Sequence, residues 1–466
     1  MARSLLAVVL VISIFSSICN CQTNNNVKCL PSDRKALLDF KDGLNDPENT
    51  LSSWQGVDCC TSWRGISCDN ITGGVTVIDL HRYGFGDLSG EIRPSLIQLK
   101  SLTHLDLSSN TFEGIQIPEF FGSLKNLRYL NLSNAGFSGI IPPTLGNLSN
   151  LHFLDVSNLG FPQLAVDDFE WITSLVSLRH LEMNRVDLSL VNSTWLQRLN
   201  TLPRLKELHL SACGLSGSIS YLSRVNFTLL TVIDLSFNSF SSMFPTWLVN
   251  ITTLVDVDLS NCKLRGRIPL VFGELPNLRF FNLALNVHGK IPRSIGNMTS
   301  LVDLDFSNNN VDGGVPSTIG SLCQLVNFDV SGNNLAGTLP LSLEGTENCK
   351  ADSPLPSLVH LRLSNNQLHG RLPDWLGELT SLEELSLAFN FFEGTLPSSL
   401  GSLQNLTDLS LAGNRLNGTL PQNIGPFSEL VVFDVSSNYL TGILSEVHFS
   451  NLRKLKILRA FISGLA

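Results

Sequence analysis

The chain has 466 residues, several times the size of one compact core, and is 43% hydrophobic but only 15% charged, against about 25% charged in an average soluble domain. Its 31 basic and 40 acidic residues give a formal charge of -9, which argues against a phosphate-binding surface and hence against a nucleic-acid partner. Ten cysteines are too few for a small disulfide scaffold, yet more than a cytosolic enzyme usually carries.

At the start, Arg3 precedes the apolar run from Leu5 to Phe15, and Ser16, Ser17 and Asn20 follow. A basic start, an apolar stretch of about 10–15 residues and a polar exit predict a secretory signal peptide over 1–21, cut near Cys21 or Cys19. The run falls short of the ~20 apolar residues of a membrane span. No later window is apolar enough to supply one, so the chain is expected to be exported with no membrane span.

Residues 22–74 carry a pattern of their own. Ser32 is placed to cap a helix whose Leu37, Phe40 and Leu44 share one face, and Asn45-Asp46-Pro47 ends it. LSSWQGVDCCTSWRGISCD follows at 51–69.

From Val75 the chain becomes periodic. LxxLxLxxN recurs from Leu102 to Leu455 in steps of which seven are 24 residues and three are 25, giving fifteen units over 75–454 and the opening of a sixteenth over 455–466. This is an α/β leucine-rich repeat solenoid, expected as a right-handed curved superhelix with a parallel β-sheet on its concave face. In Leu102-x-x-Leu105-x-Leu107 the leucines point inward and the residues between them point out. Nine units then place asparagine where the strand turns away, from Asn110 to Asn438, and a buried amide there can satisfy backbone groups opened by the bend. Cys213 and Cys262 take that place in two units, so they are expected to be buried, reduced thiols. Most units continue with Gly-x-(Ile/Leu)-Pro, as in NNLAGTLP (333–340), which forbids a long helix in the second half of the coil.

The Gly-x-Ile-Pro variant resembles the plant extracellular class of leucine-rich repeats. The order helix, tryptophan, Cys-Cys, Trp-x-Gly-x-x-Cys resembles the N-terminal cap of plant receptor-like proteins and receptor kinases, a disulfide-stapled helical lid over the first coil. The resemblance implies that Cys29 pairs with Cys59 and Cys60 with Cys68, and adjacent cysteines are indeed poorly placed to bond each other. A 33-residue step after Leu325 contains Cys349, and Cys323 lies just before that unit. Receptor-like proteins often carry cysteines at these places, which favours a bridge over two free thiols.

Units at Leu151, Leu178 and Leu205 lose the proline signature. Their strand faces, with that of the unit before, carry Tyr129, His152, Phe153, Arg179, His180, Glu182, Arg185, Glu207 and His209. Aromatic residues and arginine are enriched in binding hot spots, so these are the candidate ligand contacts. The stretch DDFEWITSL…STWLQRLNTLPRLKELHLSACGL resembles a receptor-like protein subgroup that includes receptors for fungal xylanase and for apple-scab resistance, so the irregularity can equally be backbone shape alone. Phe237, Phe280 and Phe389 in later units also face outward. Eight aspartates hold the central outward strand position, among them Asp79, Asp106, Asp155 and Asp434, and are read as hydrated surface.

Sequons stand at Asn70, Asn131, Asn147, Asn192, Asn226, Asn250, Asn297, Asn405 and Asn417, a number close to chance for a chain this rich in asparagine, serine and threonine. Asn147, Asn226, Asn250 and Asn297 each precede a repeat start by four residues, at an expected outer turn, and are the first glycosylation candidates. No catalytic motif of the serine-hydrolase, zinc-protease, nucleotide-binding or kinase type occurs, and no cofactor is implied. The nine histidines are spread singly over distant units, which argues against a metal site.

The expected function is therefore a non-catalytic extracellular recognition module that binds a peptide or protein ligand on its concave face. By resemblance it would signal in defence or development through partner leucine-rich repeat receptor kinases, at the outer side of the plasma membrane or in the apoplast. A secreted inhibitor resembling polygalacturonase-inhibiting proteins, which bind cell-wall hydrolases, is the alternative, although those carry about ten units; a non-functional truncated receptor copy is a third reading. Leu455, Leu458 and Phe461 open a coil that the chain leaves unfinished, as expected if more repeats, a C-terminal cap and a membrane helix followed.

Overall fold

Stacked leucines build one continuous core. Leu102, Leu105 and Leu107 are at most 1% exposed, and their counterparts stay buried up to Leu430, Phe433 and Val435, whereas Leu458 in the last described coil is 41% exposed. The computed structural model describes residues 28–82, 87–112, 114–158, 163–349, 353–420, 427–442, 448 and 452–460; the expected signal peptide with its cleavage sites, Pro421 and Phe461 lie outside the described residues. Among the described residues, seventeen strands form a single ribbon. It opens with Ile66–Cys68 antiparallel to Val75–Asp79 and then runs parallel, one short strand per unit, to Ile457–Arg459. Register holds residue for residue, so Leu105, Leu130, Leu154, Leu181 and Leu208 lie side by side. The irregular units do not interrupt the ribbon.

The second half of most coils is a turn of 3-10 helix, as in Pro143–Asn147 and Asp374–Glu378. Glycine recurs inside these turns because neighbouring coils nearly touch there: a Cβ on Gly122 would lie 2.2 Å from the Thr144 carbonyl oxygen. Between strand and turn the later coils add a second parallel sheet of seven strands, from His288–Lys290 to Tyr439–Leu440. The irregular units break this layer: Leu164–Ala165 pairs only with Gly139–Ile140 and one bridge to Asp187, and the turn at Trp195–Leu199 becomes α-helical.

In nine units an asparagine after the strand closes the coil. The Nδ2 of Asn110 donates to the carbonyls of Leu80, Leu107 and Ser108 at 2.9, 2.9 and 3.2 Å, and its Oδ1 accepts from the Leu88 N–H at 3.1 Å. One amide thus satisfies groups on two adjacent coils. Cys213 and Cys262 take over the donor role with Sγ contacts of 3.1 Å to Met183 O and 3.0 Å to Leu235 O. Both thiols are free and buried, and burial pushes the Cys213 thiol up to about 12 and raises that of Cys262, which makes them unreactive.

The aspartate row corrects the sequence reading. These carboxylates are not simply hydrated surface: Asp106 and Asp155 are buried. Each accepts from the N–H two residues downstream, at 2.9 Å from Ser108 and 2.8 Å from Ser157, and the same bond recurs from Asp79 to Asp434. The aspartate ends each strand by an Asx turn.

The lid also departs from expectation in one detail. The helix Pro31–Gly43 starts with proline in its first turn and no side-chain cap; Ser32 lies inside it and donates to Asp33. Buried Asp33 accepts instead from the Val75 N–H at 2.9 Å, tying the helix to the first repeat strand. Disulfides join Cys29 to Cys59, Cys60 to Cys68, and Cys323 to Cys349. The last bridge holds the insertion against the preceding coil, and strand pairing continues past it from Asn327 to His360.

Truncating a ladder asparagine strands several buried groups at once. Asn333→Ala should lower stability in urea by about 2 kcal/mol, whereas Asn333→Cys, which keeps a donor as at Cys213, should cost less; equal losses would mean that packing rather than hydrogen bonding sets the value of the position.

Candidate functional site

The register that aligns the leucines also aligns the outward side chains into rows across the concave sheet. The first strand position reads His104, Tyr129, Phe153, His180 and Glu207, each directly paired with the next. Their rings stack in sequence, with centroids 4.0 Å apart from His104 to Tyr129, 4.3 Å to Phe153 and 4.3 Å to His180, and interplanar angles of 4°, 10° and 10°. Parallel strands about 4.8 Å apart leave this spacing as the natural one for flat rings. Because ring faces are turned to one another, the ladder presents edges and polar tips to the concave side.

The third strand position reads Asp106, Asn131, Asp155, Glu182 and His209. Tyr129 OH donates to Asp106 at 3.2 Å, and Asn131 Nδ2 lies 3.3 Å from the same carboxylate. Two neighbouring strands then carry inverted sequences, His180-Leu181-Glu182 and Glu207-Leu208-His209, which set imidazole opposite carboxylate in both rows. His180 Nδ1 is 2.7 Å from Glu207 and its Nε2 is 3.4 Å from Glu182. Asn184 Nδ2 holds Glu182 from the other side at 2.8 Å. The His180 and His209 centroids are 5.5 Å apart on paired strands, although 29 residues of sequence separate them, which corrects the reading of the histidines as isolated.

Electrostatics follow from burial and pairing. Burial opposes charge on His180, but the carboxylates of Glu182 and Glu207 on its two ring nitrogens win and push it up to about 9. The His180 bond holds Glu207 below the usual carboxylate range. Burial, reinforced by Glu182, raises Asp155 to about 7. Burial lowers His104 and His209 and raises the Tyr129 phenol. His152 is lowered by burial and by Arg179, Arg128 and Arg204. Those arginines and Lys206 are exposed and form, with His152, a basic edge where the chain enters the strands.

Of the nine candidate contacts, Tyr129, Phe153, His180, Glu182, Glu207 and His209 lie in the two rows, and His152 and Arg179 stand on the basic edge. Arg185 is apart from them, at the strand exit with a φ of 61°. Phe237 and Phe389 occupy that same exit ridge, 58% and 60% exposed, whereas Phe280 is half-buried on the sheet. Sequence reading missed His104, Arg128, Lys206 and the supporting Asp106 and Asn184; counting each row one coil further would have found most of them.

The raised His180 fixes a pH dependence. Its folded value near 9 stands above the ordinary 6.5, so the stability it contributes is complete below pH 6.5 and is lost as pH rises through about 9. His180→Gln should flatten the stability curve across that window; an unchanged curve would show that the imidazole is not charged in the fold.

Comparison with known proteins agrees with this architecture. Residues 30–69 match the Leucine rich repeat N-terminal domain family, and residues 100–161, 253–275, 300–322, 357–379, 381–403 and 405–427 match Leucine rich repeat families. Receptor-like protein EIX1 of Solanum lycopersicum is 38% identical over 282 residues, covering 56% of this chain and 27% of the relative. Receptor-like protein EIX2 of the same species is 40% identical over 299 residues, covering 61% and 29%. The chain thus spans less than a third of these relatives. A TDR receptor crystal structure is similar with a TM-score of 0.72 and 30% identity, covering 84% of this chain and 64% of the other. The plant peptide hormone receptor RGFR1 in complex with RGF2 gives a TM-score of 0.70 and 25% identity, covering 85% and 68%. Cap, repeat and relatives agree: the chain carries the Leucine rich repeat N-terminal domain followed by leucine-rich repeats, and is similar to the plant receptor-like proteins.

Proposed function

We propose that this chain is the recognition module of an extracellular receptor and binds an extended peptide or protein segment across the strands from His104–Asp106 to Glu207–His209. The observation that carries this reading is the ring ladder, a pre-ordered row of edges and polar tips beside a basic edge, on the concave side where solenoids present their largest continuous surface. Rings already stacked lose little side-chain freedom when a partner docks. RGFR1 and HAESA, similar to this chain with TM-scores of 0.70 and 0.66, are structures with bound peptide hormones, the latter also with the co-receptor SERK1. By analogy the signal passes through a partner receptor kinase at the outer face of the plasma membrane, in defence or development. No helix among the described residues is long and apolar enough to cross a membrane.

The test takes a ligand recovered with the secreted protein from apoplastic or microbial extracts. Phe153→Ala and Arg179→Ala together should weaken its binding by about 30-fold, the equivalent of about 2 kcal/mol, while secretion stays normal. Unchanged affinity would move the site to the later coils around Phe280 and Arg362.

Export also exposes the sequons to glycosylation. Asn147, Asn250 and Asn297 end exposed 3-10 turns, and Asn70, Asn192, Asn226, Asn405 and Asn417 are also exposed. Asn131 is half-buried on the concave sheet, where its Oδ1 accepts from the Ser133 N–H at 3.0 Å. Glycopeptide mapping should therefore find glycans at Asn147, Asn226, Asn250 and Asn297 and none at Asn131; a glycan at Asn131 would cover the proposed contact surface and contradict the reading.

A further inference from the structure

Two adjacent strands bring imidazole and carboxylate groups together in a way that ion pairing alone leaves incomplete. Single ligand-type atoms of His180, Glu207 and His209 all lie within 4.8 Å of one another. His180 Nδ1 faces Glu207 at 2.7 Å, while its Nε2 points toward Glu182, 3.4 Å away, without a hydrogen bond. Glu182 is itself held by Asn184 at 2.8 Å. His209 is half-buried against the same cluster and contacts the His180 ring, and among the described residues no hydrogen bond reaches its ring nitrogens.

We propose that His180, Glu207 and His209 form a binding site for a divalent transition metal of the zinc class, with Glu182 and Asn184 as its supporting shell. Two imidazoles and a carboxylate are the donors such ions select, at bond lengths of about 2.0–2.2 Å. Three donors on a tetrahedral ion stand about 3.4 Å apart at those bond lengths, so the present cluster needs side-chain rotations of about an ångström and no backbone movement. His180 would bind through Nδ1, which already faces Glu207. Its Nε2–H would then donate to Glu182, the carboxylate–histidine–metal relay that fixes the ring and strengthens the ligand. A fourth position stays open toward the solvent of the concave face. The paired carboxylates of Glu182 and Glu207 on either side of His180 favour a cation at this point. The buried leucine ladder and residue-for-residue pairing hold both strands in place, so the ligands sit on rigid elements.

The site is independent of what docks on the concave face, and its test uses zinc alone. Tag-free, secreted full chain is stripped with EDTA and titrated with ZnCl2 by calorimetry, with Co2+ absorption reporting coordination geometry. One zinc per chain should bind, with a tetrahedral or five-coordinate cobalt spectrum and a higher thermal midpoint in zinc. His209→Gln and Glu207→Gln should each weaken binding by about 100-fold, and Glu182→Gln by about 10-fold. His360→Gln, whose imidazole faces Glu384 at 3.3 Å on a distant part of the same sheet, should bind as the parent does. Glu207→Gln preserves shape and decides the matter if His209→Gln is not secreted. Absence of saturable binding by the parent, or equal affinity in the parent and both ligand variants, would overturn the proposal.

Discussion

Every coil of this molecule bends sharply at the end of its strand, and a bend inside a stacked array buries backbone groups that no strand partner can reach. The asparagine that answers this with three donated bonds and one accepted bond is the constraint on which the rest depends. In the nine units that carry it, and through a thiol at Cys213 and Cys262, the coil is linked to the one before it. The aspartate three residues before the strand-exit ridge works from the outer side, capping the strand through its Asx turn. With inward leucines filling the core, these two residues fix the backbone almost independently of the remaining outward positions.

That division of labour leaves the outward positions of the concave surface free to carry other chemistry. Side chains at one strand position fall into a straight row whose spacing suits stacked rings, and two such rows meet between the strands His180–Glu182 and Glu207–His209. The ladder's ring faces satisfy each other, leaving tips whose polarity is set by nearby carboxylates and by the basic edge of Arg128, Arg179 and Lys206. The same coils lack the regular second sheet and carry the α-helical turn at Trp195–Leu199. Irregularity on the outer layer therefore coincides with chemical density on the inner one, while the concave ribbon between them stays unbroken.

Much of this was legible in the sequence because the repeat converts spacing directly into position. The leucine and asparagine places, the thiols at Cys213 and Cys262, and the lid's cysteines needed only counting or resemblance. What escaped was contact between coils. Seven of the eight row aspartates are followed two residues later by serine, as in Asp106-Leu107-Ser108, and this Asx-turn signal was present but outweighed by the outward placement. Ser32 was read as a cap because a hydroxyl near a helix start usually is one, whereas Pro31 opens the helix and Asp33 serves a strand 42 residues away. The histidine pair was overlooked because linear distance was taken for spatial distance; HLE and ELH at matching repeat positions carried the answer.

The central claim is that recognition takes place on the concave strands of the units from Leu102 to Leu205. Amide hydrogen exchange, measured on the secreted protein with and without a captured ligand, addresses it most directly. Added protection should fall on the strands Tyr129–Asn131, Phe153–Asp155, His180–Glu182 and Glu207–His209 and on the entry segments beside them. Protection confined to the second sheet from His288 to Leu440, or to the 3-10 turns of the convex side, would contradict the account.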